Sequence, residues 1–434
     1  MRRFYLFLFI LLFLLNHFPT CLNAQLIIIP DKPDGIYKTG EKVQWILQKN
    51  DTTILNSVRY TLKKGGLRVI DQGQVSFMEN LAKITYSFNE PGTILLDIRW
   101  GAGDSWQDKA VGGAVADPDR LKLSAIRPAD FDVFWDTKVK DLAGVPMNPI
   151  LEMGESGMEG VKYWKITIDN IRETHIRGQL ARPVKGNKFP ALLITQWAGV
   201  YPLQKSWVTE RARDGWLVLN INPHDLPIDE EPEFYKDQAQ GLLRNYWAIG
   251  NDDRETSYFL RMYLSCCRAA DYLTGRPDWN GKTLVVTGDS QGGQQSLITA
   301  GLHPEITACL ALVPAGFDML GPEVGRKGGW PHWYDHTEGK NPAKVHEASR
   351  YFDVANFIPR IQCPVLVGVG LLDETCPPEG LLAGLNQLNS PKVVMILAGS
   401  GHQDRQGSQE PYRYVRDKVW LPALRKGKKA PINR

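Results

Sequence analysis

From residue 191 onward six short apolar runs recur, at 191–195, 216–221, 283–287, 308–313, 365–369 and 393–397, with segments of helical spacing between most of them. A run of Val, Leu, Ile and Ala without polar alternation is what a strand covered on both faces requires. Helices between such strands are the crossovers of a parallel sheet. The pattern excludes an all-helical or all-β solution for this region. It predicts an α/β domain with helices on both sides of a mostly parallel sheet. The longest helical pattern, 253–273, lies between the second and third runs. Two β-like segments, 161–168 and 175–183, precede the first run, and before them Phe131, Phe134, Trp135 and Val139 share one face of a helix expected over 129–142.

Residues 25–113 have a different texture. β-branched and aromatic residues mix with polar ones in 42–47, 58–62, 83–88 and 93–100, and Lys64-Gly65-Gly66 and Asp71-Gln72-Gly73 mark turns between such runs. The spacing predicts a small all-β, immunoglobulin-like sandwich. It holds no catalytic cluster, so a spacer, docking or packing role is expected ahead of carbohydrate binding. Linker signals begin at Gly112-Gly113 and include Asp117-Pro118; the linker is placed at 114–127 and the catalytic domain at 128–434. At the start, Arg2 and Arg3 precede an apolar stretch over 4–15, and Leu22-Asn23-Ala24 offers a cleavage point. Residues 1–24 therefore read as a signal peptide, and export to a periplasm or to the medium is expected. The stretch is shorter than the roughly 20 apolar residues of a membrane span, and no other run reaches that length.

Beyond residue 24 the five cysteines, Cys266, Cys267, Cys309, Cys363 and Cys376, are odd in number, and two are adjacent inside a helical run. That is neither a disulfide framework nor metal-ligand spacing. With 43% apolar and 23% charged residues, the 434-residue chain has the balance of a folded protein. A net charge of +3, without a basic stripe, argues against nucleic acid as a partner.

The strongest local signal is Gly288-Asp289-Ser290-Gln291-Gly292-Gly293, which follows the apolar residues 284–286 and precedes a helix-like run at 295–301. A Gly-x-Ser-x-Gly turn between strand and helix is a nucleophile elbow, in which small neighbours let a strained turn lift the serine out of the sheet. A serine hydroxyl needs a histidine base held by a carboxylate. Both are expected later in the chain: Asp373 just past the run 365–369, and His402 just past 393–397. Glu374 is the neighbouring competitor for the acid. His224 follows an apolar run where it could border the site, and His332 and His336 lack the third ligand a zinc site would need; a surface or core role is expected for all three.

Together with Arg127-Pro128-Ala129-Asp130-Phe131-Asp132-Val133-Phe134-Trp135, Tyr351-Phe352-Asp353-Val354-Ala355-Asn356-Phe357, Gly368-Val369-Gly370-Leu371-Leu372-Asp373 and Cys376-Pro377-Pro378, the elbow resembles the acetyl xylan esterase and cephalosporin C deacetylase family, carbohydrate esterase family 7. The resemblance runs from about residue 127 to the C-terminus. It implies an α/β-hydrolase fold and removal of acetyl groups from sugars such as acetylated xylan or xylo-oligosaccharides. The reaction would use Ser290, Asp373 and His402, without cofactor or metal. It also implies a homo-oligomer of hexameric type. Two features depart from the family. Asn222-Pro223-His224-Asp225 stands where Arg-Gly-Gln is usual, the Arg177-Gly178-Gln179 earlier in the chain being read as accidental, and His402-Gln403 replaces His-Glu.

For the oxyanion, the expected donors are the Gln291 backbone N–H, directly after the nucleophile, and Trp197, which falls where the family carries an aromatic residue. The excursion 316–350 is expected to cap the site; Trp330 and Trp333 in it are available to stack on a sugar, with packing within the cap expected ahead of that role. The rival readings are an esterase or peptidase of this fold acting on another acyl group, and an inactive glycan-binding relative. The presence of all three triad residues disfavours the last.

Overall fold

The computed structural model describes residues 26–50, 56–101 and 108–432; the expected signal peptide lies outside them. The N-terminal unit contains β1 (Leu26–Pro30), β2 (Ile36–Tyr37), β3 (Lys42–Lys49), β4 (Ser57–Lys64), β5 (Arg68–Ser76), β6 (Leu81–Ser87), β7 (Gly92–Trp100) and β8 (Asp108–Ala116). They form a three-stranded sheet, β1-β3-β6, and a five-stranded sheet, β2-β8-β7-β4-β5, which share a core around Trp45, Leu62, Leu96 and Ile98. In β3 the inward residues Val43, Trp45 and Leu47 alternate with partly exposed polar or apolar neighbours, the period of a strand with one buried face.

Strand β8 continues to Ala116, past the boundary expected at residue 113. Gly112-Gly113 punctuates no linker. Both glycines lie inside the strand, paired with Leu96 and Leu95 of β7, where their lack of a side chain lets other groups approach closely.

The larger unit holds β9 (Ile150–Gly154), β10 (Val161–Asp169), β11 (His175–Pro183), β12 (Phe189–Ile194), β13 (Leu217–Ile221), β14 (Trp279–Asp289), β15 (Ala308–Leu312), β16 (Val365–Gly370) and β17 (Lys392–Leu397) in one sheet, ordered β17-β16-β15-β14-β12-β13-β11-β10-β9. From β13 through β17 the pairs are parallel, and β9, β10 and β11 add an antiparallel edge. The helices are α1 (Phe131–Ala143), α2 (Ser206–Arg213), α3 (Pro232–Gln240), α4 (Tyr258–Thr274), α5 (Gln291–Leu302), α6 (Pro342–Phe352), α7 (Pro378–Leu385), α8 (Glu410–Tyr414) and α9 (Leu421–Arg425).

Successive residues of the central strands enter opposite cores. Leu193, Leu219, Val286 and Val367 pack with α1, α4, α5, α6 and α7. Leu192, Val218, Val285 and Leu366 pack with α2, α8 and α9. The continuous apolar runs of the sequence are this two-sided burial. Capping defines the starts of two helices: the Ser257 hydroxyl accepts from Phe259 N at 3.3 Å to open α4, and Asn341 accepts from Ala343 N at 2.9 Å to open α6, with Pro342 in its first turn. Cys266, Cys267, Cys309, Cys363 and Cys376 are all buried and free. No helix among the described residues is long and apolar enough to cross a membrane.

The chain leaves β12 toward β13 on one side and returns to β14 on the other. Such a reversal opens a crevice beyond the carboxyl ends of the strands, which is where open α/β sheets place their ligand sites. The loops after β12 and β14 face each other across it.

Candidate active site

Ser290 joins β14 to α5 with φ +57° and ψ −121°. Gly288 and Gly292 make the turn possible: a β-carbon at Gly288 would lie 2.5 Å from the Gly292 carbonyl carbon, and one at Gly292 would lie 2.5 Å from Thr195 O. Ser290 N donates to Leu312 O at 2.8 Å, and its carbonyl accepts from Gln294 N at 2.9 Å and Ala315 N at 3.1 Å. These bonds hold the strained residue from three sides.

The Ser290 hydroxyl lies 2.9 Å from His402 Nε2, and His402 Nδ1 lies 2.8 Å from Asp373 Oδ2. A carboxylate only accepts, so Nδ1 carries the proton and leaves Nε2 free to accept from the serine. The other Asp373 oxygen accepts from Thr375 N at 2.8 Å and Cys376 N at 2.7 Å, and the carboxylate is almost entirely buried. Gln409 Nε2 donates to His402 O at 3.1 Å and steadies its loop. Cys376 lies near enough to Asp373 and His402 for their donor atoms to fall within 4.8 Å of one another. Both imidazole nitrogens are already engaged, however, and burial pushes the Cys376 thiol well above its ordinary range. Glu374 points away, paired with Lys109 of the N-terminal unit.

Gln291 opens α5, so its N–H is one of the helix-start amides that lack an intrahelical acceptor. Opposite it runs the loop after β12. Gln295 Nε2 donates to Gln196 O at 3.0 Å. A trans peptide directs its C=O and N–H to opposite sides, so this bond fixes which way the Trp197 N–H points. Two further residues hold the same loop. His224 Nε2 donates to Gly199 O at 3.0 Å while its Nδ1 accepts from Tyr258 at 2.7 Å. Tyr246 accepts from Gly199 N at 3.3 Å and donates to Gln291 Oε1 at 2.5 Å. Burial lowers the His224 pKa to about 4, keeping the ring neutral. His224 thus occupies the loop where Arg-Gly-Gln was expected and works as a brace behind the crevice. Arg177 and His175 support that loop through Asp225, at 2.9 and 2.8 Å, and Gln179 is buried against Gln204 O and Asn220, so Arg177-Gly178-Gln179 stands outside the cleft.

The Ser290–His402–Asp373 relay opens into a cleft of about 700 Å³. Trp197 and Trp207 form one wall. Trp197 is 42% exposed, stacks on Tyr201 at 5.3 Å and meets Trp207 edge-on at 5.1 Å. Trp330 also lines the cleft, and the polar side carries Asp404, Arg413 and the exposed Gln403. Trp333 does not reach it. Its ring is fully buried against Phe259 and Phe352, and its N–H donates to Trp247 O at 2.7 Å, so it is a core residue with no face free for a sugar. Of the excursion 316–350, only Trp330 lines the cleft among the described residues. A larger groove, about 940 Å³, lies between the two units and is lined by charged groups such as Arg68, Arg120 and Lys122, but it contains no nucleophile–base pair.

Sequence reasoning missed Gln295, Tyr246 and the bracing role of His224, and it missed Trp207. None sits in a motif, and each acquires its role only from what it touches.

Comparison with known proteins matches residues 120–418 to the acetyl xylan esterase (AXE1) family. Acetyl esterase Axe7A of Xylanibacter ruminicola is 32% identical over 412 residues, covering 91% of this chain and 92% of that protein. Two solved structures share the fold. An acetyl xylan esterase from Paenibacillus sp. R4 has a TM-score of 0.59 at 24% identity, over 69% of this chain and 98% of its own. Acetyl xylan esterase 1 from Thermoanaerobacterium sp. JW/SL YS485 also has a TM-score of 0.59, at 19% identity, over 68% of this chain and 95% of its own.

Proposed function

The chain belongs to the acetyl xylan esterase family and is a carboxylic ester hydrolase acting on acetyl esters, and we propose that it deacetylates xylan or xylo-oligosaccharides through an acyl-enzyme on Ser290. The observation that carries this reading is the Ser290–His402–Asp373 relay opening into a cleft of about 700 Å³, far more space than an acetyl group fills. Esterases of this kind need room for the alcohol half of the ester, and here that room has an aromatic wall. Trp197 and Trp207 are read as the surface on which the sugar ring lies, with Trp330 facing it; Trp333 has no part in binding.

His402 takes the Ser290 proton as the oxygen attacks the acetyl carbonyl, and Asp373 stabilises the imidazolium that forms. The Gln291 and Trp197 N–H groups receive the oxyanion, each contributing about 3 kcal/mol to transition-state stabilisation. His402 then gives that proton to the departing sugar oxygen, which leaves as a hydroxyl. Water, activated by the same imidazole, releases acetate. In this reading the enzyme is exported after cleavage near Ala24, which the mass of the mature protein checks.

Acetate release from acetylated xylan and from a small acetate ester is the test. Ser290→Ala should lose at least about 10⁴-fold in kcat on both. Trp197→Ala should lose more on xylan than on the small ester. Serine-dependent turnover of the small ester with none on xylan would reassign the acyl or sugar specificity, and full turnover by Ser290→Ala would remove the triad.

A further inference from the structure

None of the described residues that line the cleft comes from the N-terminal β unit, yet that unit packs directly behind the loop that carries Asp373. Leu371 and Leu372 span the short distance between the end of β16 and the acid. Their amides donate to Leu397 O at 3.2 Å and Ser400 O at 2.9 Å, on the strand and loop that lead to His402. Their outer surface rests on the β unit. A β-carbon at Gly113 of β8 would stand 2.8 Å from Leu371 O and 2.9 Å from Leu372 Cδ2, and one at Gly35 would stand 2.7 Å from Leu371 Cδ1. The middle of the loop is held by the Lys109–Glu374 pair, one residue beyond Asp373. At its far end the buried Glu379 of α7 accepts from Thr93 N at 2.7 Å and Thr93 Oγ1 at 3.0 Å on β7. The β unit therefore touches the acid loop before, beside and after Asp373.

We propose that the β unit is a positioning element for the catalytic acid, seating residues 371–379 so that Asp373 stays in line with His402 Nδ1. The inference rests on the triad reading above. Gly113 and Thr93 act through Asp373 and touch no substrate.

Strand alternation supplies a matched control. Gly112 faces the other way, into the sandwich, where a β-carbon would meet Ile28 Cγ2 at 3.0 Å and Trp45 Cδ1 at 3.2 Å. Neither glycine has a positive φ, so alanine at either position perturbs packing without backbone strain. Full-length Gly113→Ala, Gly112→Ala and Thr93→Val should be compared with the parent enzyme. The readouts are kcat and KM on a small aryl acetate, the rate of Ser290 phosphonylation by an aryl phosphonate, and Tm. Gly113→Ala is expected to lose about tenfold or more in kcat and in phosphonylation rate at unchanged KM. Thr93→Val should move the same way by a smaller factor. Gly112→Ala should lower Tm and leave kcat unchanged.

Parental kcat in folded Gly113→Ala would overturn the proposal. So would a loss of kcat in Gly112→Ala that tracks its Tm, since the β unit would then act through general stability alone. A change confined to KM would also overturn it. If Gly113→Ala does not fold, Thr93→Val decides by the same criteria. Ser290→Ala, run alongside, separates the two levels: persistent turnover there sinks the triad reading, whatever Gly113 shows.

Discussion

Ser290 lines the crevice and His224 braces a loop behind it, one strained and one desolvated. The serine's positive φ is tolerated because neighbouring backbone bonds over-determine it, and the small residues at 288 and 292 let them approach. That requirement is local, so Gly288-Asp289-Ser290-Gln291-Gly292 was legible in the sequence. His224 carried no such pattern. Its ring is neutral because burial lowers its pKa from 6.5 to about 4. Unfolding returns the higher value, so the unfolded chain binds the extra proton between those limits. The His224 contribution is then fully present above about pH 6.5 and is lost as pH falls toward 4, by on the order of 3 kcal/mol. His224→Gln keeps an N–H donor for Gly199 and does not titrate. The Tm advantage of the parent over this variant at pH 7.5 should therefore shrink by pH 4.5; parallel pH profiles would exclude His224 as the source.

Loops and helices repeat the lesson at the scale of elements. Strands β12 to β17 match the apolar runs to within a few residues, because burial on both faces leaves a compositional trace. The edge strand β9 was missed: all five of its residues are exposed, so no burial pattern marks it. Gly112-Gly113 was read as a break because close packing and a turn both call for glycine. The loop after β12 was legible only as a position. Its conformation depends on Gln295 of α5, which bridges Gln196 O and Gln291 O at 3.0 and 3.2 Å. Gln295→Leu frees the Gln196 carbonyl, and with it the Trp197 peptide, while the Gln291 carbonyl keeps its place in the helix ladder. The expected result is a kcat loss of up to about 10²-fold with KM little changed, as for a misplaced oxyanion donor. A rise in KM alone, in steady-state kinetics on the small ester, would place Gln295 in binding instead.

Across the whole molecule, a buried charge cluster joins the linker, the excursion 316–350 and the β unit. Arg326 Nε donates to Asp318 Oδ2 at 2.6 Å, Nη1 to Glu379 Oε1 at 3.5 Å and Nη2 to Lys122 O at 2.6 Å, while Lys327 N donates to Gly65 O at 2.9 Å. Arg326→Met leaves two buried carboxylates without their cation and should cost about 3–5 kcal/mol, read from urea unfolding. A change below 1 kcal/mol would mean that water replaces the guanidinium there. The sequence by itself determined the parallel strands, the turn around Ser290, and the places of Asp373 and His402 just past two strand ends. Each of these is written in residues adjacent along the chain, in their period or in the sterics of one turn. Only the tertiary structure decided that Trp333 is core and Trp207 is cleft wall, that His224 braces a loop, and that the β unit sits behind Asp373. Those outcomes depend on contacts such as Thr93 with Glu379, 286 positions apart, and a contact between distant segments leaves no period in either of them.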